Sequence, residues 1–173
     1  MAEPLSPAAD YSYLDGGLVR MLDRLQQEGT ATKDPDADQF LRDDPNAVLI
    51  GLLLDQRVLA ETAFTGPLKL KERLGHFEMA RLADHDPDDF KRVFSESPAV
   101  HRFTNTMADR VQAVARILAD EHDGTAAGLW SDGADLDTVE KRVKKLPGFG
   151  PLKAQKLKHC LYYFQNVDLS EPR

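Results

Sequence analysis

The chain is expected to be all-α, and three observations point there. Apolar residues recur at helical steps of three and four in several separate stretches. Helix start signals, Asp44-Pro45-Asn46 and Asp86 before Pro87, stand just ahead of such stretches. No run of alternating β-branched residues occurs, and no pair of strand patterns around a turn. At 173 residues, 42% hydrophobic and 29% charged, the chain can bury a core of its own.

Taken in order, Met1 to about Tyr13 carries two prolines and little pattern and reads as a flexible lead. Leu18, Met21, Leu22 and Leu25 mark an amphipathic helix ending near Gly29. Thr30 to Asp38 is polar and reads as a linker, with a short helical piece over Asp38–Arg42. The next helix, Ala47 to about Asp55, is apolar nearly all round, which predicts a central place in a bundle. It ends in a polar corner, Asp55-Gln56-Arg57.

A helix from about Leu59 to Leu74 follows, with a kink expected at Gly66-Pro67. Short helices are predicted over Met79–Leu82 and Pro87–Phe94. Residues Pro98 to Thr104 form a loop. Thr104 or Asn105 then caps a strong helix bearing Met107, Val111, Val114, Ile117 and Leu118 on one face, which Gly124 ends. The expected division is residues 1–37 as lead plus one helix, and 38–173 as the main helical domain.

The densest signal lies near the end, in Leu146-Pro147-Gly148-Phe149-Gly150-Pro151-Leu152-Lys153-Ala154. Leu136, Val139, Val143 and Leu146 run up to it at helical steps, and Leu152, Leu157 and Leu161 lead away. That is helix, tight turn, helix. Gly148 and Gly150 leave the backbone uncovered, and Pro151 suits the first turn of the second helix. Free N–H groups and the positive end of the helix dipole there make an anion site from backbone alone.

The charges agree. Lys141, Arg142, Lys144, Lys145, Lys153, Lys156 and Lys158 lie in a span without an acid. The whole chain carries −7, so removing the +7 of this span leaves −14 elsewhere. A basic focus on an acidic protein points to a localised polyanion contact and argues against a histone-like binder. No apolar run is long enough to span a bilayer, and the first ten residues lack the pattern of a secretion signal, so a cytoplasmic, nucleoid-associated protein is expected.

Other chemistry has little support. Cys160 is the sole cysteine, which excludes an internal disulfide and cysteine-rich metal or iron–sulfur sites. The histidines at 76, 85, 101, 122 and 159 show no helical metal spacing. The acidic stretch Asp84–Asp89 lacks the central Gly and terminal Glu of a calcium loop and reads as a solvated helix start. No Gly-rich loop ending in Lys-Ser/Thr supports NTP hydrolysis.

The hairpin resembles the helix-hairpin-helix motif, Leu-Pro-Gly-Val-Gly followed by a helix carrying Ala; Leu146, Pro147, Gly148, Phe149, Gly150 and Ala154 fit it. The order of three features, the corner Leu52–Val58, the loop and helix His101–Leu118 and then the hairpin, resembles the helix-hairpin-helix (HhH-GPD) DNA glycosylases, the superfamily of endonuclease III, MutY and the 3-methyladenine glycosylases. The likeness covers roughly Gln39 to Phe164 and is nearer to a compact bacterial branch without an iron–sulfur domain.

The resemblance implies a partner and roles. The partner is duplex DNA with a damaged or mismatched base. Pro147, Gly148, Phe149, Gly150, Leu152, Lys153 and Lys156 would face the DNA, with a monovalent cation at the hairpin carbonyls in many relatives. Gln56 would plug the gap left by an extruded base, and Phe103 would wedge from the loop before the long helix.

The chain departs from the pattern at the chemistry. Lyase-competent members carry a lysine where Leu152 stands; Lys153 comes one residue late, about 100° further round a helix. A monofunctional glycosylase is therefore expected. The superfamily's catalytic Asp falls at Ser170, with Asp168 two residues short of it and Asp55, beside Gln56, as the alternative carboxylate. Two other readings stay open: a non-catalytic, lesion-sensing relative, and a protein-interaction module with a reassigned hairpin.

Overall fold

The structure is a computed structural model that describes Tyr11, Leu14 and residues 16–169. The described residues are helical and contain no strand. In order they form α1 (Gly16–Glu28), α2 (Pro35–Asp43), α3 (Pro45–Leu54), α4 (Ala60–Leu74), α5 (Met79–Asp84), α6 (Pro87–Ser95), α7 (Thr104–Glu121), a 3₁₀ turn (Ala126–Leu129), α8 (Leu136–Lys144) and α9 (Pro151–Gln165). No helix among them is long and apolar enough to cross a membrane.

The centre is α3. Asp44 caps it by accepting from the Asn46 N–H, and Pro45 sits in its first turn. Every residue from Asn46 to Leu54 is buried. α2, α4, α7, α9 and the 3₁₀ turn pack around it. Each large aliphatic side chain so enclosed contributes about 1.5–3 kcal/mol. At Gly51 a Cβ would lie 2.7 Å from the Phe64 ring, so α4 approaches the bare backbone there. Asn46 fixes the other end of α3: its Nδ2 donates to Gly124 O at 2.9 Å and its Oδ1 accepts from Ala126 N–H at 2.6 Å.

Several expectations need correction. The polar stretch after Gly29 is not a plain linker: α2 begins at Pro35, capped by Asp34, so the division expected at residue 38 falls inside a helix. Asp38 is buried and accepts from both Thr30 and Thr32, which explains why polar residues pack there. Leu18, Met21 and Leu22 of α1 belong to the same apolar cluster as α3, α4 and α9. Neither Thr104 nor Asn105 caps α7. The cap position is Phe103, and Thr104 is already helical, its hydroxyl donating to His101 O. The lead expected over residues 1–13 lies outside the described residues apart from Tyr11, whose hydroxyl donates to Asp23.

Candidate nucleic-acid interface

The hairpin is held from below. Leu146 and Phe149 are buried, as are Val139 and Val143 of α8 and Ala154 and Leu157 of α9. Gly148 adopts φ +86°, and a Cβ there would stand 2.6 Å from Leu53 Cδ1. The turn therefore lies flat on the end of α3, and no side chain fits between. Gly150 is different: it is exposed, extended, and opens onto free space. The first helical bond of α9 runs from the Ala154 N–H to Gly150 O at 3.1 Å. The N–H groups of Gly150, Leu152 and Lys153 have no partner among the described residues, at the positive end of a fifteen-residue helix.

The polar corner after α3 meets this turn. Gln56 Oε1 accepts from Arg110 Nη1 at 2.9 Å, and Arg110 Cδ passes 3.5 Å from where a Cβ on Gly148 would be. One α7 side chain thus touches both the corner and the hairpin. Behind them His101 is 1% exposed. Its Nε2–H donates to Leu54 O at 3.0 Å and Gln56 O at 3.1 Å, while Nδ1 accepts from the Phe103 N–H at 2.9 Å. That pattern requires the neutral ring, and burial shifts its pKa in the same direction, downward. His101 therefore pins the corner to the loop before α7.

Asp55 stands between these parts. Its side chain is 9% exposed, Lys156 Nζ lies 3.5 Å from Oδ2, and that oxygen accepts no hydrogen bond. Lys153 also turns inward: its Nζ donates to Leu53 O at 2.8 Å and sits 5.8 Å from the Phe149 ring centroid. Burial pushes its ammonium pKa down to about 8, with the Asp55 charge opposing the shift. The expectation that Lys153 faces the DNA is corrected: its amine is spent on Leu53 O. Leu152 is the residue on the outside, 53% exposed, and it takes no part in the apolar face it was assigned to.

Other expected residues fall less simply. Phe149 is not a DNA-facing ring: its side chain is in the core, and its N–H is spent on Leu146 O at 3.2 Å. Pro147 is half-buried at the rim of the turn. Phe103 packs partly against the core, with the Arg102 guanidinium 5.1 Å from its ring centroid, so Arg102 is the exposed residue of that loop. Asp168 is half-buried, three residues past α9 and about 13 Å of helix rise from Lys156 to Gln165. The α9 end is tied to α2 through Gln165 Nε2, which donates to Leu41 O at 2.5 Å and Arg42 O at 3.1 Å. The carboxylate gathered beside the hairpin is Asp55. Ser170 lies outside the described residues.

The basic focus also changes shape. Arg142 is used internally, donating to Leu129 O at 3.1 Å and pairing with Asp132 at 3.0 Å. Lys141, Lys144 and Lys145 stay exposed, with no ion pair among the described residues. Arg57, Arg102 and Arg110 join from distant parts of the chain, which no local charge count could find. Among the described residues no cluster of His, Cys, Asp and Glu could hold a metal. Within the acidic stretch Asp86 caps α6 and Asp84 pairs with Arg116.

Comparison with protein-family models, with curated proteins and with solved structures returns no match to this chain.

Proposed function

We propose that the protein binds duplex DNA through the hairpin and holds an extruded damaged base at the Asp55–Gln56 corner, as a monofunctional DNA glycosylase of the HhH-GPD type. What supports this most is one juxtaposition. Unpartnered N–H groups at Gly150, Leu152 and Lys153 lie at an open turn, and a nearly buried carboxylate, whose Oδ2 is ion-paired to Lys156 but accepts no hydrogen bond, stands one helix end away. The amides would take a backbone phosphate, with Lys144 and Lys145 beside them and a monovalent cation at the turn's carbonyls. Asp55 would stabilise positive charge on the sugar as the base leaves, with Lys156 Nζ 3.5 Å from its Oδ2. Gln56, steadied by Arg110, would fill the vacated stack.

A second reading, lesion sensing without excision, draws support from the same ion pair, because Lys156 already balances the Asp55 charge. The deciding experiment is a panel of lesion-bearing duplexes, assayed for salt-dependent binding and for base release. Binding that weakens with salt together with release of one base class supports the enzyme. Binding without release supports the sensor, and no binding at low salt would overturn both.

A further inference from the structure

Beside the corner, an open depression of about 610 Å³ is lined by Arg57, Val58, Leu59, Thr62, Ala99, His101 and Arg102. Three of the lining residues, Val58, Leu59 and Ala99, are aliphatic, and Leu59 is 63% exposed, one of two large apolar side chains so displayed among the described residues. Its rim carries two arginines that make no ion pair among the described residues, in a chain of net charge −7. Arg57 is held at φ +58°, a conformation that a non-glycine residue adopts at a cost of roughly 1 kcal/mol. Leu59 occupies the cap position of α4 and gives it no side-chain bond, although Asn, Asp or Ser would. Two positions of one short loop thus carry residues that local stability disfavours, and both line the same depression.

We propose that this depression is a second subsite, which takes one unpaired nucleotide of the bound DNA. Its base would lie on Val58, Leu59 and Ala99, and its phosphate between the Arg57 and Arg102 guanidiniums. An anion with a flat apolar body suits that lining better than a purely acidic partner, which leaves the aliphatic residues uncovered. His101 joins the two sites physically, because this residue lines the depression and its ring donates to Gln56 O. The inference rests on the DNA-binding reading above and adds a preference to it.

The test compares two lesion-free duplexes of one sequence, fully paired and with a single-nucleotide bulge, by fluorescence anisotropy. The bulged duplex is expected to bind roughly five- to tenfold tighter, from partial apolar burial of one base and one charge-assisted phosphate contact. Leu59→Asn and Arg57→Gly should abolish that preference. Both should fold at least as well as the wild type, the first gaining a helix cap and the second losing backbone strain. Equal binding of the two duplexes, or a preference that survives both variants, overturns the subsite while hairpin binding stands. Loss of all duplex binding overturns the DNA reading and the subsite together. Binding of a poly-glutamate peptide that depends on Arg57, in place of the bulge preference, would also reject the nucleotide.

Discussion

Arg110 Nη1 donates to Gln56 Oε1 at 2.9 Å, while its methylene chain covers Gly148. A single α7 side chain therefore bridges the corner and the hairpin. Arg110→Met keeps the methylene cover and removes the donor. It should cost about 1 kcal/mol of stability and release Gln56. The affinity ratio of lesion duplex over plain duplex should fall toward one, with plain binding reduced only by the lost charge. Titration of both duplexes with both proteins checks it, and an unchanged ratio would show that Gln56 is not the discriminating group.

Lys153 gives the interface a pH dependence of definite sign. Burial brings its pKa from 10.5 to about 8, so in the folded protein its charge is lost as pH rises through that value. Duplex affinity should weaken between pH 7 and 9 in the wild type and stay flatter in Lys153→Arg. Stability should move the opposite way. Between about 8 and 10.5 the unfolded chain binds the extra proton, so the fold gains stability with pH in that window. At pH 7 the amine is protonated and bonded to Leu53 O, and borohydride should trap no adduct with an abasic duplex. A trapped adduct at Lys153 would reject the monofunctional reading.

The carboxylate assignment separates Asp55 from Asp168. Asp55→Asn should abolish base release and leave hairpin binding intact. Asp168→Asn, at the far end of α9, should keep release within about threefold, since it lies away from the group where charge develops. Release assays on the two variants decide between them, and the reverse result would restore Asp168.

Much of this arrangement was legible in the chain. The central α3, the α8–turn–α9 unit and the Asp55-Gln56-Arg57 corner all follow from local spacing, because a helix face and a tight turn are local properties. α2 was read only from Asp38 onward, although Asp34-Pro35 is the same start signal as Asp44-Pro45 and Asp86-Pro87; the polar residues around it disguised a buried Asp38 held by two threonines. His101 looked like any lone histidine, since its partners are carbonyls at 54 and 56, far away in sequence. The same distance hid Arg57, Arg102 and Arg110. Phe149 reads as an exposed turn residue because turn statistics say nothing of what lies beneath; here α3 does, and the ring joins the core.

On the reading proposed above, the uncovered backbone around Gly150 is what meets DNA phosphate. Gly150 has extended geometry and open space at its Cβ position, so Gly150→Val should fold within about 0.5 kcal/mol of the wild type. Gly148→Ala, by contrast, meets both a positive φ and Leu53 Cδ1 and should destabilise by about 1–3 kcal/mol. The most direct measurement is duplex affinity at low salt for folded Gly150→Val. The expected result is a loss of roughly tenfold or more, from charge-assisted contacts worth about 1.5–3 kcal/mol. Wild-type affinity in that variant would show that the amides around Gly150 do not hold DNA phosphate.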